Sequence, residues 1–154
     1  MSSTTEPTLE PKKKPTEAGN YFISNYPPFS FWSPDNKKDV DDAFQQPHDD
    51  EASLGIYHHI PFCRKRCHFC YFRVYTDKNA SEIKEYLDST ITELKYFAKQ
   101  PRIAGRKPKF VYFGGGTPSY LSGKQLTDLT DEMKAILPWN EAEEVAFEGE
   151  PGTL

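Results

Sequence analysis

From Leu54 onward the sequence alternates between short apolar runs and longer amphipathic ones, and that alternation constrains the fold more than any other feature. The run LGIYHHI (54–60) has the length and alternation of a strand and is closed by Pro61. Asn79 with Glu82 three residues on forms a capping-box pattern. Ile83, Tyr86, Leu87, Ile91, Leu94 and Ala98 then recur at helical spacing until Pro101. A second strand is predicted over KFVYF (109–113), running into Gly114, Gly115 and Gly116. Ser122 with Gln125 opens a second helix carrying Leu126, Leu129, Met133, Ile136 and Leu137, with Pro138 as its stop. A third strand, EEVAFE (143–148), leads into Gly149, Glu150, Pro151 and Gly152. The order β-loop-α-β-α-β implies an α/β fold with a parallel sheet and right-handed crossovers. In such sheets the chemistry collects at the carboxyl ends of the strands. The loop after the first strand, the glycine run and Glu148 are therefore expected at one rim. Three β units are too few for a closed barrel, which needs about eight strands, so the chain reads as the N-terminal portion of a longer protein.

The loop after the first strand holds all three cysteines of the chain, spaced C-x3-C-x2-C as Cys63, Cys67 and Cys70. An odd number of closely spaced thiols does not make a disulfide framework and points to metal binding in a reducing compartment. Three thiolates in one loop can reach three corners of an iron–sulfur cubane and leave one iron open. A vacant position suits binding of a small molecule rather than plain electron transfer. The rival is zinc, with His68, His58 or His59 as fourth ligand; structural zinc, however, takes two separated ligand pairs, and no second pair exists here. Arg64, Lys65 and Arg66 are placed to lower the thiol pKa values and offset the cluster's charge, or else to stand inert in solvent.

The remaining sequence sets bounds. Residues 1–18 are rich in Pro, Thr, Glu and Lys and read as a disordered tail, with no apolar stretch of a secretory signal. Residues 19–53 combine Tyr21, Phe22, Tyr26, Phe29, Phe31 and Trp32 with Pro27, Pro28 and Pro34, and read as an extended arm that packs on a surface, a further domain being one candidate for it. A formal net charge of -4 gives no electrostatic case for nucleic acid. No apolar run is long enough to span a bilayer. A cytoplasmic location is the default expectation.

Three motifs carry a family resemblance over roughly residues 54–154. C-x3-C-x2-C after a first strand, with Phe69 before the last cysteine, resembles the signature of the radical SAM superfamily. Tyr57-His58-His59-Ile60-Pro61-Phe62-Cys63 resembles the Y-x-HIPFC motif of the oxygen-independent coproporphyrinogen III oxidase (HemN/HemW-like) family. Phe113 to Ser119 resembles its F-GGGTP-S motif, and Glu148 to Thr153 its E-x-N-P-x-T motif, with Glu150 where Asn or Asp is usual.

The resemblance implies that the chain is the N-terminal part of a complete or partial radical SAM (β/α) barrel, with a [4Fe–4S] cluster on Cys63, Cys67 and Cys70. It implies S-adenosylmethionine contacted by Phe69, Gly115, Gly116, Thr117 and Glu148, with Tyr57 and His59 lining the site as candidate catalytic residues. Reductive cleavage to a 5′-deoxyadenosyl radical, an electron donor such as flavodoxin or ferredoxin, and a porphyrin-like substrate follow as expectations. The sequence departs from the family's authentic oxidases at Phe72, where those carry a further cysteine. Relatives without it include haem-trafficking proteins, haem-degrading methyltransferases, and methylases or cyclopropanases, so a haem chaperone and a radical SAM methylase or cyclopropanase stand as alternatives.

Overall fold

The computed structural model describes residue 28 and residues 31–152. The tail read over 1–18 lies outside the described residues. The chain divides into two units, 1–37 and 38–154. In the first, Pro34–Asn36 form a short 3-10 helix. Ser33 caps it: its hydroxyl accepts from the Asp35 N–H at 3.2 Å, and its own N–H donates to Asn36 Oδ1 at 2.7 Å.

Helix α1 (Lys37–Gln45) begins at the division. The arm expected to be extended over 19–53 is therefore helical across 37–45, and this is a correction. The dense run of aromatics and prolines that suggests extension ends at Pro34, with only Phe44 and Pro47 beyond it as far as residue 53. The following KKDVDDAFQ holds no helix breaker, and Lys38 pairs with Asp42 one turn on. The segment 38–53 packs on this chain. The Phe44 ring meets Phe97 with centroids 4.8 Å apart. The Arg102 N–H donates to the Phe44 carbonyl at 3.1 Å, and its guanidinium donates to the Pro47 carbonyl at 3.0 Å.

The rest follows the expected order: β1 (Gly55–Ile60), α2 (Ala80–Phe97), β2 (Phe110–Gly115), α3 (Gly123–Ile136) and β3 (Glu144–Phe147). The strands form one parallel sheet in the order β1-β2-β3, with Tyr57 opposite Tyr112 and Tyr112 opposite Ala146. Strand β2 runs two residues further than expected, through Gly114 and Gly115, because their backbones pair with His59 and Ile60. Both helices start where their capping boxes predict. Asn79 Oδ1 accepts from the Ser81 and Glu82 N–H groups while Glu82 caps the Asn79 N–H, and Ser122 and Gln125 do the same for α3.

Alternation along the strands gives the sheet two unlike faces. Ile56, Ile60, Val111 and Phe113 point to one face and pack with Ile83, Leu87 and Ile91 of α2 and Leu129 and Met133 of α3. Burying each of these side chains is worth roughly 1.5–3 kcal/mol, and this core fixes the sheet register. His58 falls in the same row and is buried against Phe113, its Nε2 without a hydrogen-bond partner. Tyr57, His59, Phe110 and Tyr112 alternate onto the opposite, open face, where Tyr57 is 56% and Phe110 47% exposed.

Candidate functional site

The cysteine loop leaves the end of β1 and is tied at its base. The Cys63 N–H donates to the Tyr75 carbonyl at 3.0 Å, and the Tyr75 N–H donates to the Pro61 carbonyl at 2.8 Å. Phe62 and Tyr75 thereby form an isolated parallel bridge. Cys63 is buried, Cys70 half-buried and Cys67 exposed; all three are free thiols. The Cys70 N–H donates to the Cys67 carbonyl at 3.1 Å, making the turn between the second and third thiols. Arg66 donates to the Cys70 carbonyl at 3.0 Å, and Arg64 donates across to the Gly152 carbonyl at 3.1 Å. The Thr117 hydroxyl donates to Cys63 Sγ at 3.3 Å.

The glycine run delivers backbone to the same place. The Gly116 N–H donates to the Ile60 carbonyl at 2.8 Å. A Cβ on Gly116 would stand 2.9 Å from Cys63 Sγ and 3.0 Å from the Ile60 and Phe62 carbonyl oxygens. Only glycine lets the strand end lie this close to the first sulfur. Gly115 has φ +118°, and a Cβ there would meet the His59 ring at 2.6 Å.

Glu148 sits one residue past β3, its N–H donating to the Phe113 carbonyl at 3.0 Å. Its carboxylate accepts the Tyr112 hydroxyl on Oε1 at 2.6 Å and the Gly115 N–H on Oε2 at 3.1 Å. Beside it, the Tyr57 hydroxyl and His59 Nδ1 are 2.9 Å apart. On the far side of the strand, Tyr86 of α2 donates to the His59 carbonyl at 2.6 Å. Burial pushes the Tyr86 hydroxyl up to about 12, so it remains a donor. Burial lowers the His59 pKa, and the Glu148 carboxylate works in the opposite direction. Burial and then Glu148 raise the Tyr57 phenol, while the hydrogen bond to Glu148 is the main cause that raises Tyr112.

A cleft of about 560 Å³ opens between the loop and the strand ends. It is lined by Cys63, Cys67 and Cys70 and also by Phe69, Gly115, Gly116, Thr117 and Glu148. The structure thus brings together every residue expected at a cofactor. Tyr57 and His59 do not line this cleft; they stand on the open sheet face next to Glu148, with the His59 ring 6.1 Å from that of Phe72. His58 points away into the core, and His68 is exposed on the loop beside Cys67. Among the described residues no three His, Cys, Asp or Glu side chains converge on a point that could hold a single metal ion. A cubane instead takes its ligands at separate corners. The three free thiols, the hydroxyl donor to one sulfur and the glycine that a Cβ would push off that sulfur fit such a group.

Tyr112 went unnoticed in the sequence. The signal was present: alternation in FVYFGG puts Tyr112 on the face of Gly114, opposite Val111 and Phe113. None of the described helices is long and apolar enough to cross a membrane.

Comparison with known proteins places these features among relatives. The profile of the Radical SAM superfamily matches residues 57–148. The oxygen-independent coproporphyrinogen III oxidase of Escherichia coli is 34% identical over 101 residues, 66% of this chain and 22% of the relative. The heme chaperone HemW of Escherichia coli is also 34% identical over 101 residues, covering 66% of this chain and 26% of the relative. The chain thus spans about a quarter of the length of the curated relatives it matches. The solved structure of coproporphyrinogen III oxidase (HemN) from Escherichia coli, described as a radical SAM enzyme, superposes with a TM-score of 0.67 at 30% identity. That match covers 81% of this chain and 28% of the other.

Proposed function

The chain belongs to the radical SAM superfamily, and on that footing we propose that Cys63, Cys67 and Cys70 hold a [4Fe–4S] cluster and that the cleft beside them takes S-adenosylmethionine. When bound, the pair supplies reductive cleavage of the sulfonium to methionine and a 5′-deoxyadenosyl radical. The observation that carries the reading is the cleft itself: three thiols at one wall, and Gly115, Gly116, Thr117 and Glu148 at the other.

The chain's own residues have definable tasks. Gly116 keeps the strand end clear of Cys63. Thr117 donates to the Cys63 sulfur. Glu148 offers a carboxylate to the ammonium or a ribose hydroxyl of the nucleoside, and Phe69, 80% exposed at the cleft, supplies an apolar surface. Tyr57 and His59 line the open face on which a porphyrin-like substrate would lie, their rings tilted 55° to each other. The electron comes from outside the chain. Between Cys63 and Arg73 the loop carries Arg64, Lys65, Arg66 and Arg73 and no acidic residue, in a chain of net charge -4. That local charge favours an acidic donor such as a flavodoxin or ferredoxin. A cytoplasmic setting, where thiols stay reduced, belongs to the same reading.

Coproporphyrinogen III oxidase-like chemistry is the first form of the proposal. A haem-trafficking role is the second, and Phe72 at the position of the oxidases' further cysteine favours it, as it does a methylase or cyclopropanase. Anaerobic reconstitution tests the common ground. A brown protein with iron and sulfide in near-equal amounts, releasing 5′-deoxyadenosine from S-adenosylmethionine under reductant, is expected. A colourless protein without iron refutes the reading. Stoichiometric haem binding without turnover selects the chaperone.

A further inference from the structure

Tyr112 touches both halves of the open sheet face. Its ring lies along that of Tyr57 on the neighbouring strand, centroids 5.9 Å apart and planes 28° apart. Its hydroxyl donates to Glu148 Oε1 at 2.6 Å, while the Gly115 N–H occupies Oε2 at 3.1 Å. The ring covers Gly114, where a Cβ would come within 2.5 Å of Tyr112 Cε1 and 3.2 Å of Glu148 Cδ. Gly114 is therefore the gap through which phenol and carboxylate meet.

A carboxylate has about four acceptor sites. Here one donor on each oxygen fixes the plane of the Glu148 carboxylate, and the other sites remain for a ligand in the cleft that Glu148 lines. We propose that Tyr112 is a positioning residue: it holds the Glu148 carboxylate in one orientation so that the carboxylate meets the ammonium or ribose hydroxyl of S-adenosylmethionine already aligned. This rests on the cofactor reading above and adds to it a residue that does not itself touch the nucleoside. Preorganisation of this kind strengthens binding by removing the cost of ordering the carboxylate on encounter. The raised phenol pKa keeps Tyr112 a donor throughout the neutral range.

The test is a double-mutant cycle on S-adenosylmethionine affinity, measured by calorimetry on the cluster-loaded protein, with Tyr112→Phe, Glu148→Gln and both together. Tyr112→Phe removes one hydroxyl and should weaken binding about tenfold, the scale of a lost hydrogen bond to a charged group. Cleavage at saturating S-adenosylmethionine should change less than about twofold, because the carboxylate is still present. In the Glu148→Gln background the Tyr112 change should have almost no further effect. An ultraviolet difference titration of the tyrosines, which needs no cluster, should show the Tyr112 phenol, and to a lesser degree that of Tyr57, ionising at lower pH in Glu148→Gln, and the Tyr112 part of that shift should be missing in the double variant. Unchanged affinity in Tyr112→Phe, or effects that simply add in the double variant, overturns the positioning role alone. A wild-type protein that loads the cluster but binds no S-adenosylmethionine overturns the cofactor reading and this proposal together.

Discussion

Replacing His58 by leucine should flatten the acid side of the stability curve. His58 is 7% exposed in the core row of β1, its Nε2 has no partner, and burial followed by the nearby His59 lowers its pKa from 6.5 to about 4. Above the unfolded value of 6.5 both states hold a neutral ring, and the group contributes nothing to the pH dependence. As pH falls below 6.5 the unfolded chain binds a proton that the folded chain refuses, so stability is lost, and the loss is complete near pH 4. At about 1.4 kcal/mol per pKa unit the whole window is worth about 3 kcal/mol, of which about 2 kcal/mol is gone by pH 5. Few carboxylates titrate above pH 5, so the interval from 7.5 to 5 isolates the histidines. Urea unfolding followed by the fluorescence of buried Trp139 measures the slope. His58→Leu should lose about 2 kcal/mol less than wild type over that interval. It should also be no less stable at pH 7.5, because an orphaned buried nitrogen has been exchanged for apolar volume. Some slope will remain from His59, whose pKa burial also lowers. A variant with the wild-type slope would refute the claim that His58 is held neutral in the core.

Further expectations are sharper at the cleft. Gly116→Ala places a Cβ 2.9 Å from Cys63 Sγ and 3.0 Å from two carbonyl oxygens that cannot yield, so it should cost about 1–3 kcal/mol and reduce iron loading; normal iron content with unchanged unfolding would contradict this. Cys67→Ala should abolish iron loading while leaving the far-ultraviolet circular dichroism intact, since Cys67 is exposed; full iron content would remove it from the ligand set. Asn79→Ala deletes two hydrogen bonds at the start of α2 and should destabilise the protein by about 1 kcal/mol in urea titration, with no effect on iron content.

The parallel order of the strands and the starts of α2 and α3 were legible because each rests on local chemistry: alternation for the strands, and Asn79 with Glu82 and Ser122 with Gln125 for the helix starts. The rim was legible because parallel topology sends every strand end to one side. Helix α1 was hidden because Trp32 and Pro34 dominate the impression of its surroundings, and its one strong local signal, the cap at Ser33, opens a 3-10 turn first. The separation of His58 from His59 could be read from alternation, yet adjacent histidines beside cysteines look alike until burial divides them. Tyr112 was missed because its role depends on a contact across 36 residues, between Tyr112 and Glu148, that no local spacing encodes.

The bridge between Phe62 and Tyr75 has a thermodynamic consequence of its own. It closes the cysteine loop with backbone pairing between Phe62 and Tyr75, so part of the entropy of bringing the loop ends together is charged to the folding of the sheet. On the cluster reading proposed above, the cluster would have only the tip of the loop left to order. In a zinc finger the ion and the fold stand or fall together; on the same reading, a chelator here should strip the proposed cluster and leave the sheet and helices folded.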